Sequence, residues 1–163
     1  MTDLDDARED FLKLRDTAPG VQLATLAEGQ LPEASYAPCV WLEGSCYLYL
    51  SELSSHTANL MRNPGIGLMM IEDADETPNP FTRKRASLRG RASLVVRDDD
   101  LFERVMAEFH RRFGSVMKVI EPLPDFHMFR VEAATGSFVR GFGQAYELTG
   151  DRLEQLAHID PTK

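Results

Sequence analysis

Leu4, Ala7, Phe11 and Leu14 recur at three- and four-residue intervals, which predicts a helix over residues 3–16. Acids fill its first turn, where they favour a helix N-terminus, and Pro19-Gly20 stops it. Beyond it the pattern changes. Residues 21–26 read as a strand and Glu28-Gly29 as a tight turn. Residues 34–43 and 46–51 flank Gly44-Ser45, a two-residue hairpin signal. Pro38 cannot donate to a ladder, so it assigns part of the middle strand to an edge or a bulge. A short helix follows over residues 54–61, with a serine available as its cap and Asn63-Pro64-Gly65 ending it. The apolar run 66–71 has strand length, and residues 72–82 form a polar loop.

In the long strand 84–97, Ala86, Leu88, Ala92, Leu94 and Val96 are assigned to one face, and Gly90 marks a bend. Asp98-Asp99-Asp100 opens a helix that runs to about Phe113, with Leu101, Val105, Phe109 and Phe113 as its apolar stripe and Gly114 as its end. Strands 126–132 and 137–143 come next. A short C-terminal helix is expected from Thr149 or Asp151 to Ala157. This inventory gives an α+β chain that is mainly β: a six-stranded antiparallel barrel with short peripheral helices. One domain is expected over residues 1–163, with an N-terminal helix in 1–17 and a short helix and tail in 149–163. Strands are mostly in hairpin order, and the passage 46–71 is the one place where a crossover is expected.

Composition narrows the function. The 163 residues are 43% hydrophobic and 27% charged, a normal globular mixture. Eighteen basic residues against 26 acidic ones give a net charge of −8, opposite in sign to what a phosphate backbone or an anionic membrane attracts. No apolar run approaches the roughly 20 residues that span a bilayer. The acidic N-terminus differs from a secretory signal, so Cys39 and Cys46 are expected as reduced thiols in a cytoplasmic protein. No nucleic acid and no membrane is expected as a partner.

Dinucleotide fingerprints, P-loops, zinc-helix motifs and Cys-x-x-Cys pairs are all missing from the sequence. His56 lies in the first turn of the helix that starts at Ser54, beside the hydroxyls of Ser55 and Thr57. There, free backbone N–H groups bind an anion or are simply capped. His110 reads as part of a solvated helix face, His127 as a packing or pocket-lining strand residue, and His158 as a tail histidine. Arg83, Arg85, Arg89 and Arg91 share one strand parity apart from any shift at Gly90. Like charges side by side repel unless an anion sits among them or neighbouring acids such as Glu72 and Asp73 neutralise them.

Several stretches together resemble the pyridoxamine 5′-phosphate oxidase-like split-barrel proteins, and in particular their HugZ/HutZ-type haem-utilisation branch. They are residues 21–26, 50–60 (Leu-Ser-Glu-Leu-Ser-Ser-His-Thr-Ala-Asn-Leu) with Asn63-Pro64, residues 85–92, residues 125–130, and Gly141-Phe142-Gly143-Gln144-Ala145. The likeness covers nearly the whole chain in one order. It implies a homodimer of split barrels with two equivalent small-molecule sites at the subunit interface.

In flavin-binding members the FMN phosphate sits near the helix after the hairpin strands. That implies Ser54, Ser55, His56, Thr57 and Asn59 as cofactor residues here, with Arg83 or Arg85 as counter-charges. The family's true oxidases carry Arg and Lys on the middle strand and an Arg-Lys pair opening the helix. Here those places hold Ala37, Leu42, Ser55 and His56. Four cationic contacts are lost, each worth about 1.5–3 kcal/mol, which argues against pyridoxamine phosphate oxidation. In the haem branch a histidine near the C-terminus ligates iron and an Asp before the penultimate strand orients it, which implies His158 as ligand and Asp125 as orienter. The implied functions are a haem-degrading oxygenase fed by an external electron donor, an FMN-dependent oxidoreductase, or a non-catalytic haem- or flavin-binding barrel.

Overall fold

The computed structural model describes residues 2–161. Its first element is the helix α1 (Asp3–Thr17), opened by a capping box in which Thr2 and Asp5 satisfy each other's backbone N–H groups. Ala7, Phe11 and Leu14 are buried, as their spacing predicts. Strands β1 (Gly20–Leu26) and β2 (Pro32–Leu42) pair antiparallel across a tight turn in which Gly29 takes φ of 76°. β3 (Ser45–Ser51) then returns along β2. The hairpin turn is Glu43-Gly44, one residue earlier than expected, with Leu42 facing Ser45. Both turn residues have positive φ, 51° and 84°, as a two-residue turn that matches strand twist requires.

Pro38 sits inside β2 rather than on an edge strand. Its missing N–H falls at the hand-over where β2 makes its last pair with β1, at Gly20, and its first with β3, between Cys39 and Leu48. The helix α2 (Ser55–Arg62) carries the chain over two strands, so that β4 (Gly65–Ile71) pairs with β1; this is the expected crossover. β5 (Arg85–Val95) follows after a loop of two short 3₁₀ turns.

The helices α3 (Asp100–Phe113) and α4 (Val116–Ile120) come next; α4 has too few residues to show a period and is not predicted. Asp99 caps α3 by accepting from Leu101 N–H, and Gly114 ends it with φ of 72°. Residues 126–141 then form one strand, β6 (Phe126–Gly141), where two were expected. Its register against β5 shifts between Arg89 and Gly90, because Ala134 is an extra residue on β6. A Cβ on Gly90 would lie 2.2 Å from the Glu132 carbonyl, so the bend needs glycine for close approach.

The C-terminal segment corrects the sequence reading. Residues 149–157 are not a helix: β7 (Gln144–Thr149) turns through residues 150–153 into β8 (Gln155–His158). Gly150 and Leu153 both take positive φ, which ends any helix, and Leu156 faces Leu148 across the β7–β8 pair.

The sheet order is β3-β2-β1-β4-β5-β6-β7-β8, and β3 also pairs with β6. That pairing closes a six-stranded antiparallel barrel and leaves β7 and β8 as an extension beyond it. One core fills the barrel and includes Phe11, Leu23, Leu48, Leu60, Leu88, Phe129, Phe138 and Tyr146. A second lies outside the wall, where Phe102, Val105, Met106 and Phe109 of α3 cover Val40, Tyr47, Tyr49, Val95 and Met128. That outer core explains why Val95 is buried while Leu94 and Val96, expected on the core face, are 50% and 59% exposed. Ala86, Leu88 and Ala92 do face inward.

Candidate functional site

The end of α2 is a self-satisfied polar network. The side chain of Ser54 makes no capping hydrogen bond, contrary to the sequence expectation. Ser55 Oγ donates to the Glu33 carboxylate. His56 is 5% exposed, with Nδ1 2.9 Å from Ser35 Oγ. Thr57 Oγ1 donates to the Ser51 carbonyl at 2.6 Å, and Asn59 Nδ2 donates to Thr25 Oγ1 at 3.0 Å. Burial holds the His56 imidazole below its ordinary pKa, against the pull of Glu33, so the ring is kept neutral. A phosphate placed here would find its hydroxyl donors engaged and a carboxylate already present. In this arrangement a phosphate would have to displace the Glu33 carboxylate from Ser55. Glu33 is the residue that sequence reasoning missed; nothing in its local pattern shows that β2 aims it at α2.

The basic stretch divides in two. Arg83 Nε donates to the Glu72 carbonyl at 2.5 Å, and Lys84 Nζ lies 3.2 Å from Asp10. Arg85 Nη1 donates to the carbonyl of Arg83 at 2.9 Å. Arg85, Arg89 and Arg91 alternate with the buried Ala86, Leu88 and Ala92, so they share the outer face. Their cross-strand neighbours on β4 are Ile71, Gly67 and Gly65, which carry no acid. Glu132, opposite Arg91, pairs with Arg130 instead, and Glu72 accepts from the Lys84 backbone N–H. Among the described residues none of Arg83, Arg85, Arg89 and Arg91 has an ion pair, so the expected neutralising acids are not in place.

His158 stands on β8 opposite Tyr146, and the two ring centroids are 4.8 Å apart. Its Nε2 lies 3.2 Å from Asp3 Oδ2, in the first turn of α1. Tyr146 Oη donates to the same oxygen at 2.9 Å, and Arg140 Nη1 donates to Asp3 Oδ1 at 3.1 Å. Arg140 is the bulged residue of the β6–β7 pairing, and that bulge aims its Nε at Asp10, 2.7 Å away. Asp3, Arg140 and Tyr146 were not foreseen as neighbours of His158, since only the bulge and the unexpected β8 bring them there.

Asp125 lies at the other end of the molecule. Its Oδ2 accepts from Ser51 Oγ at 2.7 Å, just before β6 begins, whereas His158 is beside the end of β6, sixteen residues on. Within one chain the two do not meet. His127 Nε2 lies 2.7 Å from Glu52, near Asp125, and His110 Nε2 lies 2.5 Å from Glu121. Among the described residues no cluster of three His, Cys, Asp or Glu side chains could hold a metal ion by itself. Cys39 and Cys46 are both buried and free.

The site chemistry therefore consists of a partly exposed imidazole on an edge strand and an uncovered sheet face with unpaired guanidiniums. These residues fit haem, whose iron needs one axial nitrogen and whose propionates need cations. A closed antiparallel barrel crossed by α2 and extended by β7 and β8 is the split barrel of the pyridoxamine phosphate oxidase class. The chain belongs to the pyridoxamine 5′-phosphate oxidase family, whose sequence model matches residues 4–140.

It is 38% identical over 148 residues to the heme oxygenase HutZ of Vibrio cholerae, covering 91% of this chain and 84% of that one. The crystal structure of HutZ, described as a heme storage protein, superimposes with a TM-score of 0.73 at 34% identity over 77% of this chain and 88% of HutZ. Campylobacter jejuni ChuZ superimposes with a TM-score of 0.88 at 30% identity, over 100% of this chain and 68% of that one. No helix among the described residues is long and apolar enough to cross a membrane.

Proposed function

We propose that the protein is a haem-binding split barrel of haem-iron utilisation that seats haem between two copies of the chain and degrades it oxidatively. The observation that carries this reading is His158, an imidazole on a four-residue edge strand with 58% of its side chain exposed. The kinship with HutZ supports it. Bound haem supplies the oxygen chemistry that opens the porphyrin ring once an external donor delivers electrons. His158 would hold the iron through a ring nitrogen. Because Asp125 of the same chain is at the far end of β6, the orienting carboxylate comes from Asp125 of the second copy, and the homodimer completes the site. Such a carboxylate fixes the ring's tautomer and raises its basicity as a ligand. Arg85 and Arg89 offer unpaired cations to the propionates. The two free thiols and the acidic surface suit a cytoplasmic setting.

Titration of the purified protein with hemin should give a Soret band saturating at one haem per chain, and His158→Ala should abolish or shift it. Ascorbate and air should then bleach the wild-type band. An unchanged band in the variant removes His158 from the site. Binding without bleaching leaves a carrier instead of an enzyme. A monomer in sedimentation, with hemin bound, rejects a site shared between two copies.

A further inference from the structure

Resting on the haem reading, we infer that Asp3 is an affinity-determining residue: its carboxylate holds the His158 Nε2 edge in the unloaded protein and must be left behind when iron binds. The geometry is a contest for one nitrogen. An imidazole usually binds metal at about 2 Å, and a porphyrin on Nε2 sweeps the space around that atom, where Asp3 Oδ2 stands 3.2 Å away.

Asp3 is the fixed party. Tyr146, which is fully buried, donates to Oδ2, and Arg140 donates to Oδ1. The capping box between Thr2 and Asp5 pins the helix turn that carries Asp3. β8 is the movable party: it has four residues, pairs on one side only, and apart from Leu156 is exposed. Loading therefore swings the His158 ring off Asp3 and off the Tyr146 face, while the α1–Arg140–Tyr146 network stays.

The test uses the full chain. Asp3→Asn keeps one acceptor oxygen, for Tyr146 or for Arg140 but not for both, and removes the negative charge beside His158. Asp3→Ala serves as a second variant, and Glu9→Gln, an exposed acid on the same helix, controls for simple loss of negative charge. Hemin affinity read from the Soret titration should rise about two- to five-fold in Asp3→Asn, the range that one solvent-exposed polar contact supports, and stay unchanged in Glu9→Gln.

Without hemin, the amides of residues 155–159 should exchange faster in Asp3→Asn than in wild type. Weaker or equal hemin binding, an equal gain in Glu9→Gln, or unchanged exchange in β8 would each overturn the inference. Equal binding in Asp3→Asn alongside loss of the Soret band in His158→Ala rejects this role of Asp3 and spares the haem reading. An intact band in His158→Ala rejects both.

Discussion

Arg89→Gln separates an unpaired cation from a paired one by the sign of a stability change. Arg89 shares its face with Arg91 two residues on and Arg85 four residues back, and it has no ion pair among the described residues. At about 3.4 Å per residue the guanidiniums are set some 7 and 14 Å apart. In water-like dielectric those separations cost about 0.6 and 0.3 kcal/mol. Removing Arg89 should thus stabilise the hemin-free protein by nearly 1 kcal/mol at low salt, about 2–4 °C in Tm for a chain of this size. Near physiological ionic strength, with a screening length of about 8 Å, the gain should fall to roughly a third.

Hemin binding should move the other way, weakening several-fold in the same variant. The assay is thermal unfolding at 10 and 150 mM salt, with and without hemin. A lower Tm at low salt would refute the reasoning, because it would mean that Arg89 meets carboxylates, whether of its own chain or of a second copy. A salt-independent shift would refute it as well.

Gly90→Ala should cost about 3 kcal/mol or more in urea unfolding, since its Cβ would meet the backbone of Glu132 at 2.2 Å; a loss under 1 kcal/mol would show that β6 gives way there. His56 supplies a pH dependence. Burial lowers its folded pKa below the unfolded value of 6.5, so the unfolded chain takes the proton first. Stability should fall as pH drops from about 6.5, and the loss should level off below the folded value. His56→Gln should flatten that part of the curve, and an identical pH profile in the variant would place the neutral imidazole elsewhere.

What the sequence revealed depended on how local the cause was. α1 and α3 were legible because three- and four-residue spacing, acids in the first turn and a stop signal, Pro19-Gly20 or Gly114, all agree. The hairpin was legible to within one residue, since only φ shows that Glu43-Gly44, and not Gly44-Ser45, makes the turn. β6 was read as two strands because a bulge at Ala134 flips the alternation midway. β8 was mistaken for a helix because the positive φ of Gly150 and Leu153, which turns β7 into β8, leaves no mark in the sequence pattern. The candidate site was legible only as residue types. His158 and the arginines could be singled out, yet their neighbours could not. Asp3 is 155 residues from His158 along the chain, and Glu33 reaches Ser55 only because α2 crosses back over β2 and β1.

β6 serves two masters, hydrogen-bonding β3 along its first half and β7 along its second while β5 runs beside both. The ladder that seals the cylinder is therefore finished before the chain reaches the flap bearing His158. A longer tip or a replaced histidine in that flap leaves every rung of the cylinder intact, whereas Tyr146 and Leu148 of β7 are built into the core. Such an arrangement lets the vessel be refitted at its rim without renegotiating its architecture.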